Sequence, residues 1–372
     1  MINKLKKVQQ FWQSKQTQQA LHELRHIAKS DPKKFPWWLA STLSTSSSFV
    51  DHPILGNQTL NDLGLHEFRV KHAFALAQAR REKLAQFLSV EDIAQYQQNG
   101  FILKENFLPD AEFQALKKEL IETPLPTRET LQGDTVTRRM ALDFRTLPNL
   151  PHTKKLLESS DWQHLIHYVA SFKLQPLYYV QVIISQVRKS RPDPQTALHS
   201  DTFHPSMKAW LFFTDVAEDE GPFVYVPGSH LLNDKRLAWE RERALNIQNS
   251  DRMSQRGSFR IQESELVDLG YGAPKKFAVP ANTLVIADTY GFHARGLSAR
   301  PSMRIELWAF ARRNPFLPWA GLDVTRLPLI KTRLIPALWW GLDQMEEHGM
   351  KKNPWRKVGK KVATDPAQIT SK

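Results

Sequence analysis

Cysteine is absent from this chain of 372 residues. Its absence excludes disulfide bonds, iron–sulfur clusters, thiolate zinc sites and a cysteine nucleophile. It leaves the redox compartment open, because a protein without cysteine tolerates oxidising and reducing surroundings alike.

Long apolar runs are also absent. No stretch reaches the length of about 18 apolar residues that a membrane-spanning helix needs. The first residues, MINKLKKVQQFWQSKQ, are basic, but no apolar core and small-residue cleavage site follow, so no secretory signal is predicted. Hydrophobic residues make up 41% of the chain, which is enough for a full core. We expect a cytoplasmic protein.

Acidic residues are scarce at the two ends of a chain whose formal net charge is +13. The segment KKNPWRKVGKK, 351–361, carries six basic residues and no acid. Such a segment favours a polyanionic partner, although solubilising tails have the same composition. Contact of this segment with the anionic inner face of a membrane is one alternative, with Trp339 and Trp340 as interfacial anchors. The other is a helix that packs on the core; no nucleic-acid partner is expected.

The first part of the chain reads as helical. Apolar residues recur at helical spacing in residues 1–30, and the stretch 66–88 has neither glycine nor proline. The stretch SVEDIAQYQQNG has a capping pattern at Ser89 and a glycine stop at Gly100, which predicts another short helix.

After about residue 175 the pattern changes to short β-branched and aromatic runs, among them PLYYVQVIISQV, KAWLFFTDV and MRIELWAFARR. Turn signals such as EDEGP and GYGAP separate them, which predicts an antiparallel sandwich or barrel. Residues 326–348 look helical but are interrupted by Pro328 and Pro336.

The stretch TALHSDTFHP, 196–205, contains a candidate metal pair. His199 and Asp201 are separated by one residue, so on a strand both side chains would face the same ion. Two histidines, one carboxylate and open positions form the facial triad of non-haem iron(II) oxygenases. Because such pairs also occur by chance, the prediction depends on a second histidine from elsewhere.

Three histidines are candidates for that position. His204 would need a tight turn to reach the same ion, and His230, in PGSH, suits an ordinary turn hydrogen bond. His293 follows one predicted strand and precedes another, and its long separation from the pair suits a rolled sheet. We prefer His293.

An oxygenase of this kind needs a two-electron donor, usually 2-oxoglutarate, whose far carboxylate requires a charged planar partner. Arginine meets that need, because its fork pairs bidentately with a carboxylate. Arg304 begins the run RIELWAF, eleven positions after His293. Arg295 and Arg300 lie in the intervening loop and are better placed at a cavity mouth.

Taken in order, LHSD, DEGPFVYVPGSH, FHARG and that arginine resemble the phytanoyl-CoA dioxygenase family. The upstream DIAQYQQNGFILKENFLPDAEFQAL is similar to the family's opening. The resemblance runs from about residue 90 to 312 and implies a double-stranded β-helix, a jelly-roll, cupin-like, all-β core with flanking helices. It implies iron(II) held by His199, Asp201 and His293, and 2-oxoglutarate held by Arg304.

The strand before the metal pair supplies a further cosubstrate contact in relatives such as ectoine hydroxylase. By that comparison Gln181 is a candidate, with Ser185 a weaker one. Two positions depart from the wider superfamily: Glu306 and Arg295 stand where hydroxyl residues are common, two positions after Arg304 and His293.

This comparison divides the chain into a helical N-terminal extension (1–88), an oxygenase domain (89–315) and a basic, helical C-terminal extension (316–372). It implies hydroxylation of an unactivated C–H in a small-molecule or lipid-linked substrate, with release of succinate and CO2. Asp201 agrees, because halogenating relatives have a small residue there. The basic residues Arg138, Arg139, Arg295 and Arg300 favour an anionic substrate.

Two other functions stay open at this point. An AlkB-like nucleic-acid demethylase shares the iron chemistry and would suit the positive charge. A catalytically inactive barrel that serves as a lipid- or anion-binding scaffold is the alternative outside enzymes.

Overall fold

The structure is a computed structural model that describes residues 14–369. The start of the helix predicted in residues 1–30 lies outside this range, and its remainder is helical. The α-helices are α1 (Lys15–Ser30), α2 (Phe35–Ser41), α3 (Gln58–Asp62), α4 (Leu65–Leu84), α5 (Val90–Asn99), α6 (Asp110–Glu122), α7 (Pro151–Glu158), α8 (Ser160–Ala170), α9 (Asp234–Leu245), α10 (Arg252–Gln255), α11 (Glu263–Leu269), α12 (Pro328–Lys331) and α13 (Leu334–Glu347). In the described range no helix is both long and apolar enough to cross a bilayer.

Strands of one large and one small antiparallel sheet make up the core. They are β1 (Phe101–Lys104), β2 (Leu125–Gln132), β3 (Thr135–Ala141), β4 (Leu177–Ser185), β5 (Met207–Phe212), β6 (Phe223–Tyr225), β7 (Lys275–Phe277), β8 (Leu284–Asp288), β9 (His293–Arg295), β10 (Ser302–Ala311) and β11 (Arg356–Lys361). The large sheet has the order β1-β8-β5-β10-β4-β3-β2-β11, and the small sheet has the order β7-β6-β9.

Strand alternation gives the large sheet two different faces. On β10, Ile305, Leu307 and Ala309 join the apolar cluster that helices α5, α6 and α8 cover. Trp308 points the other way, into a second cluster that contains residues of both sheets. The result is a β core with flanking helices, which confirms the predicted fold class.

The predicted helices 66–88 and 89–100 are present. Helix α4 is tied to the core by a buried ion pair, in which Arg81 Nη2 lies 2.8 Å from Asp288 Oδ2 at the end of β8. Helix α5 begins at the predicted cap, where the Ser89 hydroxyl accepts from the Asp92 N–H, and it ends at Gly100 in the left-handed region.

The C-terminal segment differs from the helical prediction, because residues Arg356–Lys361 form strand β11 beside β2. A buried pair then fixes the tail. Arg138 donates to Glu129 at 2.7 Å and to the carbonyls of Ala363 and Asp365. In β11, backbone hydrogen bonds to β2 outweigh the weak strand propensity of a lysine-rich run. The division of the chain at residues 88 and 315 stays a prediction.

Candidate active site

His199, Asp201 and His293 come together at the edge of the small sheet. His199 and His293 exchange backbone hydrogen bonds of 2.9 and 3.0 Å, so a one-residue bridge places His199 beside β9. The expected regular strand through His199 and Asp201 is absent; Asp201 lies in a bend, where its N–H donates to the carbonyl of Thr289. Asp201 Oδ1 lies 3.7 Å from His199 Nε2 and 3.6 Å from His293 Nε2.

Both imidazoles are oriented so that Nε2 is the free nitrogen. The Nδ1 atoms lie 2.8 and 2.9 Å from the carbonyls of Ala197 and Gly291, so each Nδ1–H donates and each Nε2 keeps its lone pair. The buried Nε2 of His293 has no hydrogen-bond partner in residues 14–369. Burial, with the nearby His293, holds the pKa of His199 well below its ordinary value, which keeps this imidazole neutral.

The donor set therefore fits a divalent metal. Ligating atoms of the three residues all lie within 4.8 Å of one another. Imidazole nitrogens and a carboxylate are ligands that suit iron(II).

The other candidate histidines lie elsewhere. His204 is buried, with its Nδ1 2.8 Å from the carbonyl of Pro205. His230 is buried against the ring of Tyr96, and burial lowers its pKa to about 3. Neither belongs to the group of residues that could hold a metal.

Lys208 is a site residue that the sequence did not reveal. It is the second residue of β5, and its Nζ lies 2.6 Å from Asp201 Oδ2. The sequence feature that could have identified Lys208 is its position two residues before Trp210. Residues two apart on a strand face the same side, and Trp210 lines the cavity. The lysine balances the Asp201 charge and orients its carboxylate.

A cavity of about 420 Å³ opens at the three ligands and extends along the inner face of the large sheet. Its walls contain Gln181, Arg304 and Trp210. Trp308 and the C-terminal Trp355 also line it.

Arg304 and Gln181 meet at Glu306. The Glu306 carboxylate is fully buried and accepts from Gln181 Nε2 at 2.7 Å and from Arg304 Nε at 2.8 Å. Arg304 Nη1 also donates to the carbonyl of Gly221. Ser185 lies at the end of β4, and it is not one of the residues that line the cavity, which removes the geometric basis for the weaker candidate.

The sequence model of the phytanoyl-CoA dioxygenase family matches residues 96–265. These residues form a phytanoyl-CoA dioxygenase domain. For these residues the match confirms the predicted family and the predicted class of enzyme, an iron(II)- and 2-oxoglutarate-dependent oxygenase. It includes His199 and Asp201 and ends before His293 and Arg304, which the structure brings to the domain's cavity.

Solved structures that are similar to part of this chain include HygX, SnoN and AviO1. HygX from Streptomyces hygroscopicus, with nickel and 2-oxoglutarate bound, is 20% identical, with a TM-score of 0.39 over 60% of this chain and 86% of HygX. The epimerase SnoN, in complex with Fe3+, alpha ketoglutarate and nogalamycin RO, is 17% identical (TM-score 0.38; 59% and 81%). AviO1 from Streptomyces viridochromogenes is 16% identical (TM-score 0.36; 60% and 94%). No curated protein matches the chain.

The four basic residues expected to favour an anionic substrate have different surroundings in the dioxygenase domain. Arg138 is buried on Glu129 and the C-terminal tail, away from the cavity. Arg300 is exposed and paired with Asp219, and Arg295 lines the cavity but is paired with Asp193.

Arg139 lines the cavity and has no carboxylate partner among residues 14–369. Its guanidinium carbon lies 4.2 Å from the centre of the Trp308 ring and 4.5 Å from that of Trp355. Its polar contact is a long one, with Nε 3.5 Å from Gln181 Oε1. Burial lowers the pKa of Arg139 to about 10, so the group stays charged at neutral pH.

Proposed function

We propose that this enzyme hydroxylates an unactivated C–H bond of a small-molecule or lipid-linked anionic substrate. Iron(II) would be held by His199, Asp201 and His293, and 2-oxoglutarate by Arg304. The observation that carries the proposal is one cavity with this three-residue group at one place on its wall and cationic side chains at others.

Bound iron(II), 2-oxoglutarate and dioxygen would supply the oxidising chemistry: 2-oxoglutarate would be converted to succinate and CO2, with one atom of dioxygen in succinate and the other in the hydroxylated substrate. The chain supplies position and charge. Each buried imidazole presents its Nε2, because its Nδ1 lies on a backbone carbonyl, and Lys208 leaves Asp201 Oδ1 free to face them. Arg304 keeps Nη2 for a carboxylate, while Glu306 fixes its orientation through Nε.

Charge balance in the cavity supports an anionic substrate. Three of its cations face carboxylates within ion-pair distance: Lys208 on Asp201, Arg295 on Asp193 and Arg304 on Glu306. Arg139 and Arg312 have no such partner in the described part of the chain. Arg139 is half-buried and Arg312 is exposed, and an anionic group on the substrate would supply the counter-charge that both lack.

Matched pairs of candidate compounds test the proposal. Each carboxylate or phosphate is compared with its neutral ester for stimulation of succinate release, and the product is examined for one added oxygen atom from 18O2. We expect the anionic member to be preferred and Arg139→Gln to reduce that preference. Arg300→Gln, at the exposed arginine, is the control and should keep it. A preference for neutral members, or product without the label, would contradict the proposal.

A further inference from the structure

Residues 322–340 expose large apolar side chains to an unusual degree. Leu322 is 84% exposed, Leu329 75% and Trp340 66%. We call this segment, together with Lys357 and Lys360 of β11 beside it, the docking surface. Its exposed apolar members are Leu322, Val324, Leu327, Leu329, Ile330, Leu338 and Trp340. Scattered apolar residues on a surface are ordinary, whereas seven within nineteen positions mark an interaction site.

Part of the segment with the exposed side chains is helix α13, which is itself packed on the core. Helix α13 is held on the core by buried Ile335 and by Trp339, whose ring lies 6.1 Å from that of Tyr179. The adjacent tryptophans therefore have different environments: Trp339 packs inward, and Trp340 points to solvent. With one face of the helix anchored, the other is left for a partner.

Basic side chains border the apolar ones. Arg326 and Arg333 lie within the segment and are exposed. Lys357 and Lys360 of β11 share a surface cavity with Trp340. Arg326 and Lys360 have no ion-pair partner among residues 14–369, which leaves their charge available.

An apolar groove of about 390 Å³ adjoins the docking surface. Lys331 and Leu334 line it on the side of α12 and α13, and Phe144, Leu147 and Leu157 line it on the other. Its largely apolar lining suits a hydrocarbon chain.

We propose that the docking surface binds an anionic phospholipid membrane, with the apolar side chains at the level of the acyl chains and the basic side chains at the headgroups. Apolar exposure alone would fit a protein partner equally well. The border of unpaired lysine and arginine beside an exposed tryptophan is what an anionic interface requires.

The docking surface is connected to the dioxygenase cavity. Trp339 packs on Tyr179 of β4, and Trp355, eight residues beyond helix α13, lines the cavity itself. Membrane binding would thus place the cavity close to lipid-linked substrates. This consequence rests on the proposed function, whereas the binding itself does not.

Sedimentation of the full chain with vesicles tests the inference without any turnover. Vesicles of phosphatidylcholine alone are compared with equal parts of phosphatidylcholine and phosphatidylglycerol. We expect binding to the anionic vesicles, weakened by salt, and about tenfold weaker partitioning for Leu329→Ser/Trp340→Ser. The control Val90→Ser/Val267→Ser changes residues that are 77% and 73% exposed elsewhere and should bind as the wild type does.

A charge variant, Arg326→Glu/Lys360→Glu, separates the two contributions and should weaken binding to anionic vesicles only. The inference is overturned if the wild type stays in the supernatant with anionic vesicles, or if the apolar variant sediments like the wild type. Absent vesicle binding together with a dimer that the apolar variant abolishes would assign the surface to a second copy of the chain. Circular dichroism confirms that each variant is folded.

Discussion

Glu306 offers a sharp test of the cosubstrate pocket. Its buried carboxylate touches the arginine proposed to hold 2-oxoglutarate, so it cancels part of the charge that the cosubstrate would meet. Glu306→Gln keeps the size of the side chain and can still accept from Arg304 Nε, while Gln181 can rotate its amide to match. We therefore expect tighter binding of 2-oxoglutarate in this variant.

The size of the effect follows from distance. Glu306 Oε2 lies 2.8 Å from Arg304 Nε, and a cosubstrate carboxylate on the opposite side of the guanidinium would be roughly 7 Å from Glu306. At an effective dielectric constant of about 20, two unit charges at that distance repel by about 2.4 kcal/mol. Water in the open cavity screens this repulsion to about 1.4 kcal/mol. Its removal in Glu306→Gln would lower the Kd for 2-oxoglutarate about tenfold.

The assay is an anaerobic titration of the iron(II)-loaded protein with 2-oxoglutarate, followed by the visible band of the iron–2-oxo acid complex. Glu240→Gln is the matched control, because Glu240 is equally buried and pairs with Arg236 outside the cavity. It should leave the Kd unchanged. An unchanged or increased Kd for Glu306→Gln, in a protein that is folded and binds iron normally, would refute the reasoning.

Three further predictions concern stability. Glu129→Gln removes the buried charge that pairs with Arg138 and should lower the free energy of unfolding by about 3 kcal/mol, with faster proteolysis of the C-terminal tail; urea denaturation and limited digestion measure both. Gly291→Ala should cost about 1–3 kcal/mol by urea denaturation, because the new Cβ would overlap the Tyr225 hydroxyl. Burial lowers the pKa of His167 to about 4. Because the unfolded state binds this proton at a higher pH than the folded state does, the free energy of unfolding falls as the pH drops from about 6.5 to 4. His167→Gln should reduce that loss by about 3 kcal/mol, and an equal loss in both proteins would contradict this assignment.

Much of the site could be predicted from the sequence, because its signals are local or follow strand alternation. The spacing of His199 and Asp201, the turn before His293 and the eleven-residue step to Arg304 all identify residues that the structure brings to one cavity. Helices α4 and α5 also follow directly from capping and from the absence of breakers.

The remainder depends on tertiary contacts. Glu306 looked like a departure from the superfamily, and cross-strand pairing with Gln181 shows what it does. Trp355 lines the cavity through packing between distant segments, for which no local pattern exists, and Lys208 could be found only through its alternation with Trp210 on β5. Strand β11 forms because the edge of β2 supplies hydrogen bonds. The lysine-rich sequence of β11 gives no indication of that partner strand.

The measurement that tests the account most directly is iron(II) and 2-oxoglutarate binding by the wild type, His293→Ala and His204→Asn under anaerobic conditions. His293 lies outside the segment that matches the family model, so the proximity of its Nε2 to His199 and Asp201 is the structural support for its role. We predict that the charge-transfer band forms in the wild type and in His204→Asn and is lost in His293→Ala, with all three proteins folded by circular dichroism. A band that survives in His293→Ala, or none in the wild type with metal and cosubstrate in excess, would contradict the proposed iron site.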